Sequence, residues 1–436
     1  MLDTIGVDCI DGLFADIPKD LLLKRALNVP PAASEPELEA DIRRRAAENT
    51  GATSAISFQG GGVYDHFIPA AVDEVVGRGE FYTAYTPYQP EASQGSLQAF
   101  FEFQTLLCRL TAMDVANASL YEGGTAVTEA VLMSTRINRG SRRVVILESI
   151  HPEYRDVLST YLTRMDTELI TVPTPDGTAD PDAVRSEITD DTACLVVQYP
   201  NFFGCLEQVH ELSTIARKRG VLLVASFDPL ALGILQPPGE WGADIAVAEG
   251  QSLGIPLQYG GPLLGILTCR QEHVRSIPGR LVGRADDRLG NECFVLNLQT
   301  REQHIRRNKA TSNICTNQGL LALRATVHLS LLGPQGLREA SELCCRKAHY
   351  AAGQLATVDG LRPLFDRPFY KEFALHARDG GTEIVRKARR AGFELGPLLK
   401  RFGSWNQSDC AESLLVAVTE KRTREEIDTL VEALKS

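Results

Sequence analysis

Between Arg143 and Phe227 the chain alternates short, continuously apolar runs with segments of helical spacing, and this alternation limits the folds open to it. The apolar runs are Arg143 to Glu148, Glu168 to Val172, Thr192 to Gln198 and Val221 to Phe227. Helix-like segments at His151 to Thr163, Asp180 to Ile188 and Glu207 to Arg219 lie between them. A strand apolar on both faces needs cover on both, and parallel neighbours need a crossover long enough to hold a helix. The pattern therefore predicts an α/β domain with a mostly parallel sheet clothed in helices. Ligands of such sheets bind beyond the carboxyl ends of the strands. Tyr199-Pro200-Asn201, Asp228 and Glu249 to Ser252 are expected to emerge there.

The 436 residues exceed one ordinary core, and three parts are expected. These are an N-terminal helical arm (1–55), a large α/β domain (56–332) and a small C-terminal α+β domain (337–436). Gly333-Pro334-Gln335-Gly336 is the expected linker. The net charge of −11 argues against a nucleic-acid or membrane-surface binder. No run approaches the roughly 20 apolar residues of a membrane span. The acidic N-terminus lacks the basic and apolar regions of a signal peptide, so a cytoplasmic location is expected. Ten cysteines are scattered without CxxC or metal-type spacing. They read as reduced, mostly buried thiols, and no metal site is expected.

Four stretches carry polar or conformationally special residues. Gly60-Gly61-Gly62 lets backbone approach something closely, with Tyr64 and His66 directly after it. Tyr82, Tyr85 and Tyr88 fall three apart on a proline-broken segment, and phenols on loops line pockets and interfaces. Glu122-Gly123-Gly124-Thr125 leads into a helix whose free N–H groups form a potential anion site. Arg301, Arg306, Arg307 and Lys309 form a basic cluster, read first as a solvated face, with an anion or acidic partner as the competing idea.

A fifth stretch, Gly242 to Pro262, reads as a strand (Asp244 to Val247), a polar turn Glu249-Gly250-Gln251-Ser252 and a glycine-rich return. With Asp228 ending the preceding strand, it resembles the aminotransferase-like, fold-type-I pyridoxal-phosphate enzymes. There a strand-end Asp pairs with the pyridine nitrogen and a lysine in the later turn forms the Schiff base. Here no lysine occurs between Lys218 and Lys309, and an amide at Gln251 cannot form an imine.

The blocks SFQGGGVYDHFIP (57–69), FYTAYTPYQPEASQGSLQAFFEFQT (81–105), NASLYEGGTAVTEAVLM (117–133), QYPNFFG (198–204), YGGP (259–262) and REQHIRRNKATSNICTNQ (301–318) resemble, more closely, the first or alpha chains of the split glycine decarboxylase family, the P-proteins of the glycine cleavage system. The resemblance implies a seven-stranded-type sheet in the large domain and a small C-terminal α+β domain. It also implies a beta partner chain carrying pyridoxal phosphate on its own lysine, in an α2β2 assembly. The assembled enzyme would decarboxylate glycine and pass the aminomethyl group to the lipoyl arm of H-protein. This chain would hold a degenerate cofactor pocket (Gly123, Gly124, Thr125, Asp228, Gln251) and carry no covalent cofactor. Gly60, Gly61, Gly62, Tyr64, His66, Tyr82, Tyr85 and Tyr88 are the candidates for a wall facing the partner's site. Two alternatives stand beside this reading, a self-sufficient pyridoxal enzyme using Lys309 and a purely structural scaffold.

Overall fold

The computed structural model describes residues 1–51, 54–403 and 410–435 and forms two compact units, residues 1–51 and 52–436. The first holds short helices at Leu2–Ile5 and Ile10–Phe14 and a longer one at Glu35–Ala46. Ser34 and Glu37 form a capping box at the longer helix, acids fill its first turn and arginines its last, all favourable to the helix dipole. None of residues 1–51 is buried. The rest of this arm is not helical, contrary to expectation.

In the second unit the strands are β1 (Ile56–Gln59), β2 (Val115–Ala116), β3 (Arg143–Leu147), β4 (Glu168–Val172), β5 (Thr192–Tyr199), β6 (Leu222–Phe227), β7 (Ile245–Glu249), β8 (Gly265–Cys269), β9 (Leu281–Asp286), β10 (Glu292–Asn297), β11 (Leu361–Pro363), β12 (Glu372–Ala377), β13 (Phe393–Gly396) and β14 (Ser413–Ala417). Seven of them form one sheet in the order β2-β8-β7-β6-β5-β3-β4. Strands β3 to β7 run parallel, and β8 is antiparallel to both its neighbours.

The strand period of two sends alternate residues into two separate cores. Val145, Leu147, Leu195, Val197, Leu223 and Ala225 join the helices Gln94–Thr111, Val209–Lys218 and Gly319–Leu355 on one side. Val144, Ile146, Val196, Val224, Ile245 and Val247 join Gly123–Ile137 and Pro152–Leu162 on the other. The mostly parallel, doubly covered sheet is the one that the alternation predicts.

One expected boundary changes, and the expected linker takes another form. Strand β1 pairs in parallel with β13, Ile56 opposite Phe393, so residues 56–59 belong with the C-terminal layer rather than the large sheet. Gly333-Pro334-Gln335-Gly336 is not an extended loop but the place where two helices meet at a kink within Gly319–Leu355. Gly333 has φ 60° and ψ −177°, a backbone region essentially reserved for glycine, and Pro334 restarts the helix where a missing N–H costs nothing. The first half packs Leu321, Ala325 and Leu329 into the large core, and the second packs Ala348, Ala352 and Leu355 against β12 and β14.

All ten cysteines are free; Cys194, Cys205, Cys269 and Cys344 are buried, while Cys9 and Cys315 are exposed. Among the described residues no helix is long and apolar enough to cross a membrane.

A side chain at Gly333 would meet nothing within 4 Å, so its cost is purely that of the backbone. Gly333→Ala is expected to destabilise by roughly 1–3 kcal/mol in urea unfolding. Gly353→Ala, in the same helix and equally open, should instead gain about 0.5–1 kcal/mol. Equal effects at the two positions would contradict the kink.

Candidate functional site

The carboxyl ends of β5, β6 and β7 open into a cleft that β12 closes from the small-domain side. Asn201, Asp228, Glu249, Ser252, Gly62, Tyr64, His151, Tyr154, Lys371 and Glu372 line it. Asp228 directly follows β6 and is held by its own turn, with Oδ1 accepting from the Leu230 amide at 3.0 Å. Its Oδ2 lies 2.7 Å from the Nζ of Lys371, whose side chain is 2% exposed.

Lys371 has two further partners. Its Nζ is 2.9 Å from His66 Nε2 and 3.8 Å from the centre of the Tyr64 ring. Burial, and then the neighbouring ammonium, hold His66 below its ordinary range, so the ring is neutral. Nε2 therefore accepts from Lys371, and Nδ1–H donates to Glu420 Oε2 at 2.7 Å. Burial opposes ionisation of Glu420, but the bonds from His66 and from the Phe67 amide (2.6 Å) outweigh it and keep the carboxylate charged.

Glu372, the next residue in the strand, accepts from the Gly61 amide at 2.6 Å and from the Tyr64 hydroxyl at 2.8 Å. A Cβ at Gly60 would collide with the same carboxylate, which is why this loop needs small residues. Asp65 is paired with Lys421 and Arg422. The glycine loop is thus bolted to the small domain along its length.

Gln251 is 2% exposed and fully engaged. Its Oε1 accepts from the Tyr64 amide at 2.8 Å, and its Nε2 donates to the carbonyls of Tyr64 (3.0 Å) and Ile255 (2.8 Å). The expected anion site at Gly123 is also taken. Glu249 Oε2 accepts from the Gly123 amide at 3.0 Å, and Glu122 accepts from the Thr125 amide. Burial pushes the Glu249 carboxyl up to about 7 despite these bonds. Tyr154 packs over Gly123 and Gly124 and stacks on His151 at 4.4 Å, and His151 Nε2 is 2.8 Å from the Gly61 carbonyl oxygen.

Gly60, Gly61, Gly62, Tyr64, His66, Gly123, Gly124, Thr125, Asp228 and Gln251 thus gather at one place. Tyr82, Tyr85 and Tyr88 do not join them, so the single wall expected from the sequence divides. Tyr82 and Tyr85 are 59% and 82% exposed, and Tyr88 accepts a hydrogen bond from Arg280 at 3.2 Å. The basic cluster divides too. Arg301 is buried and donates to the three carbonyls of Leu298, Ile277 and Gly279 that converge there. Lys309 is exposed and does not line the cleft.

Metal-type donors do converge, although the cysteine spacing indicated none. Asp244, Glu272 and His273 form one group; His66, Cys344 and Glu420 form another, already joined by hydrogen bonds and facing the Lys371 ammonium. Sequence reasoning missed Lys371, Glu372 and Glu420. The one available signal was two opposite charges opening an otherwise apolar strand, KEFAL.

A mostly parallel seven-stranded sheet, an Asp at one strand end, a glycine-led helix at another and a small domain closing the cleft define the fold-type-I pyridoxal-phosphate class. A sphingosine-1-phosphate lyase from Burkholderia pseudomallei shares the fold, with TM-score 0.68 at 18% identity over 94% of this chain and 92% of that one. A finer assignment follows from residues 1–434, which match the family described as glycine cleavage system P-protein; the chain belongs to that family. It is 49% identical over 434 residues to the probable glycine dehydrogenase (decarboxylating) subunit 1 of Carboxydothermus hydrogenoformans, covering all of this chain and 96% of the relative. The corresponding protein of Chlorobaculum tepidum is 47% identical over 435 residues, with the same coverage. The solved structure of a glycine decarboxylase (P-protein) in inhibitor-bound form superposes with TM-score 0.92 at 42% identity, covering 100% of this chain and 96% of that one.

The residues of this cleft do not fit pyridoxal phosphate. Gln251 offers no amine, Lys371 already satisfies the Asp228 oxygen that would face a pyridine nitrogen, and Glu249 holds the amide that would meet a phosphate.

Burial raises Glu372 from its ordinary 4.5 to about 7, so the fold favours its neutral form. That contribution is complete below about pH 4.5 and is lost as pH rises through about 7. Glu372→Gln should therefore gain a few degrees in Tm over wild type at about pH 8 and much less at about pH 5. A difference independent of pH would refute the assignment.

Proposed function

We propose that the chain is the subunit-1 half of a two-chain glycine decarboxylase and acts only with a partner chain that carries pyridoxal phosphate on a lysine of its own. The observation that carries this reading is Gln251, a fully hydrogen-bonded amide at the nucleophile's turn within a full-length P-protein frame. When bound, the cofactor supplies an electron sink for cleavage of the bond to the substrate carboxylate, and no step of that chemistry is assigned to this chain. The complex, an α2β2 assembly, decarboxylates glycine and passes the aminomethyl group to the lipoyl arm of H-protein.

The first unit supports association. Leu21, Leu23, Leu27 and Val29 are 55–72% exposed in a segment that buries nothing of its own. Such a segment has no core, and a partner chain is the natural place to cover it. On the second unit, Tyr82, Tyr85 and Tyr88 are the accessible members of the expected wall. Their exposure supports a role at the partner's site in excluding water, orienting the substrate carboxylate and guiding the incoming arm. The Lys309 alternative is disfavoured by that lysine's absence from the cleft lining.

The test is reconstitution. This chain alone should show no visible absorption from bound cofactor and no glycine-dependent CO2 release; with the partner chain both should appear. Tyr85→Phe should leave the complex assembled in sedimentation and lower kcat/KM for glycine by about tenfold. Unchanged kinetics in this and the corresponding Tyr82 and Tyr88 variants would reduce the chain to a scaffold.

A further inference from the structure

The cleft raises a question of charge balance. Asp228 is oriented by its own turn, with one oxygen on the Leu230 amide and the other aimed inward, 15% exposed at the side chain. A carboxylate so placed demands a cation, since an unpaired buried charge costs several kcal/mol. The helix N-terminus at Gly123 makes the opposite demand, for an anion. A pyridoxal ring with its phosphate would meet both demands, cation at one end and anion at the other. Here two residues meet them, Lys371 from the small-domain edge and Glu249 from the turn after β7.

Resting on the reading of this chain as the cofactor-free half, we propose that Lys371 and Glu249 occupy the two places that the charged ends of the cofactor would take, Lys371 as the cation beside Asp228 and Glu249 as the acceptor that satisfies the amides at Gly123, and that the Lys371–Asp228 pair holds the small domain closed on the large sheet. The geometry has the marks of a designed seat rather than a chance contact. Lys371 is met from three directions, by a carboxylate, an imidazole nitrogen and a phenol face. It directly precedes β12, its carbonyl accepts from the Val418 amide at 2.9 Å and the next residue, Glu372, pairs with Ala417 of β14, so the ammonium is a fixed point of the small domain. Glu249 is met by three amides, those of Gly123, Gln251 and Leu264, each at about 3 Å. Tyr154 roofs the helix terminus, and a Cβ at Gly123 would strike its hydroxyl group. Closure that would otherwise depend on a ligand is here intrinsic to the chain.

Two consequences separate this from a merely structural lysine. Restoring the nucleophile alone does not restore cofactor binding, because both charged ends are already occupied. Removing Lys371 leaves a cation-shaped vacancy, which a small alkylammonium can fill.

The experiment uses the full chain and reads thermal unfolding and visible absorption, neither of which depends on turnover, so it can fail separately from the functional reading. Lys371→Met is expected to lose roughly 5–10 °C in Tm. In Lys371→Ala, whose short side chain leaves room for it, ethylammonium chloride should recover most of the stability lost, and sodium chloride at equal concentration should not. Lys371→Met/Asp228→Asn should be more stable than Lys371→Met, since it leaves no unpaired charge. If the single variant does not fold, a soluble double variant supports the proposal and an insoluble one overturns it. Gln251→Lys with added pyridoxal phosphate should show no new absorption band, and Gln251→Lys/Lys371→Met should show one. Rescue by sodium as good as by ethylammonium, a band from Gln251→Lys alone, or a Lys371-dependent band from wild type would each overturn the proposal.

Discussion

The contact between Lys371 and Asp228 sets the conditions for everything around it. A buried ion pair repays its desolvation only with close geometry and further bonds for its remaining donors. The 2.7 Å approach and the Tyr64 and His66 partners meet that requirement. The consequences propagate outward. The ammonium fixes which nitrogen of His66 carries the proton, and that choice aims a donor at Glu420. Glu420 in turn holds the Phe67 amide, and Glu372 holds Gly61 and Tyr64. The 60–67 loop is thus held partly through this charge and partly by the Asp65 pairs with Lys421 and Arg422. Gln251 reads that course back into the large sheet through its bonds to the Tyr64 backbone.

How much of this is written locally in the chain depends on the range of the interaction. The parallel sheet was legible because each strand's two-sided burial is visible in its own residues; Val144 and Val145 face different cores but are both apolar. The turn at Gln251 was legible as a missing amine. What the amide does instead was not, since its partner Tyr64 lies 187 residues earlier. Strand β1 carries no mark that its neighbour is β13. Lys371 was hidden for the same reason: a lysine just before a strand is usually solvated, and only the tertiary fold places Asp228 beside it. The glycine loop and the three tyrosines looked alike as aromatic-edged loops, and only packing separates them. At Gly333-Pro334 the break itself was legible, but its form was not: two helices meet there directly at a kink, because each has a core of its own to lie on.

The division of labour between the two sides of the cleft also explains why its acidic groups are quiet. Glu249 and Glu372 are both driven by burial to about 7, and both are surrounded by backbone or phenol donors rather than by open space. Groups with that poise in an open cleft would be candidates for proton transfer. Here their hydrogen bonds end inside the protein, which makes them parts of the wall.

The occupied cleft bears on the history open to such a chain. A pocket that has lost a ligand but remains empty can regain it by a single substitution. This one cannot, because the vacancy has been filled by charges that balance one another. Reverting Lys371 first strands Asp228, and reverting Asp228 first strands the ammonium; altering Glu249 uncovers the amides it satisfies. Every route back passes through a less stable protein. Groups attached to the chain that fill a cleft in this way work as a ratchet, because each one can leave only by exposing another.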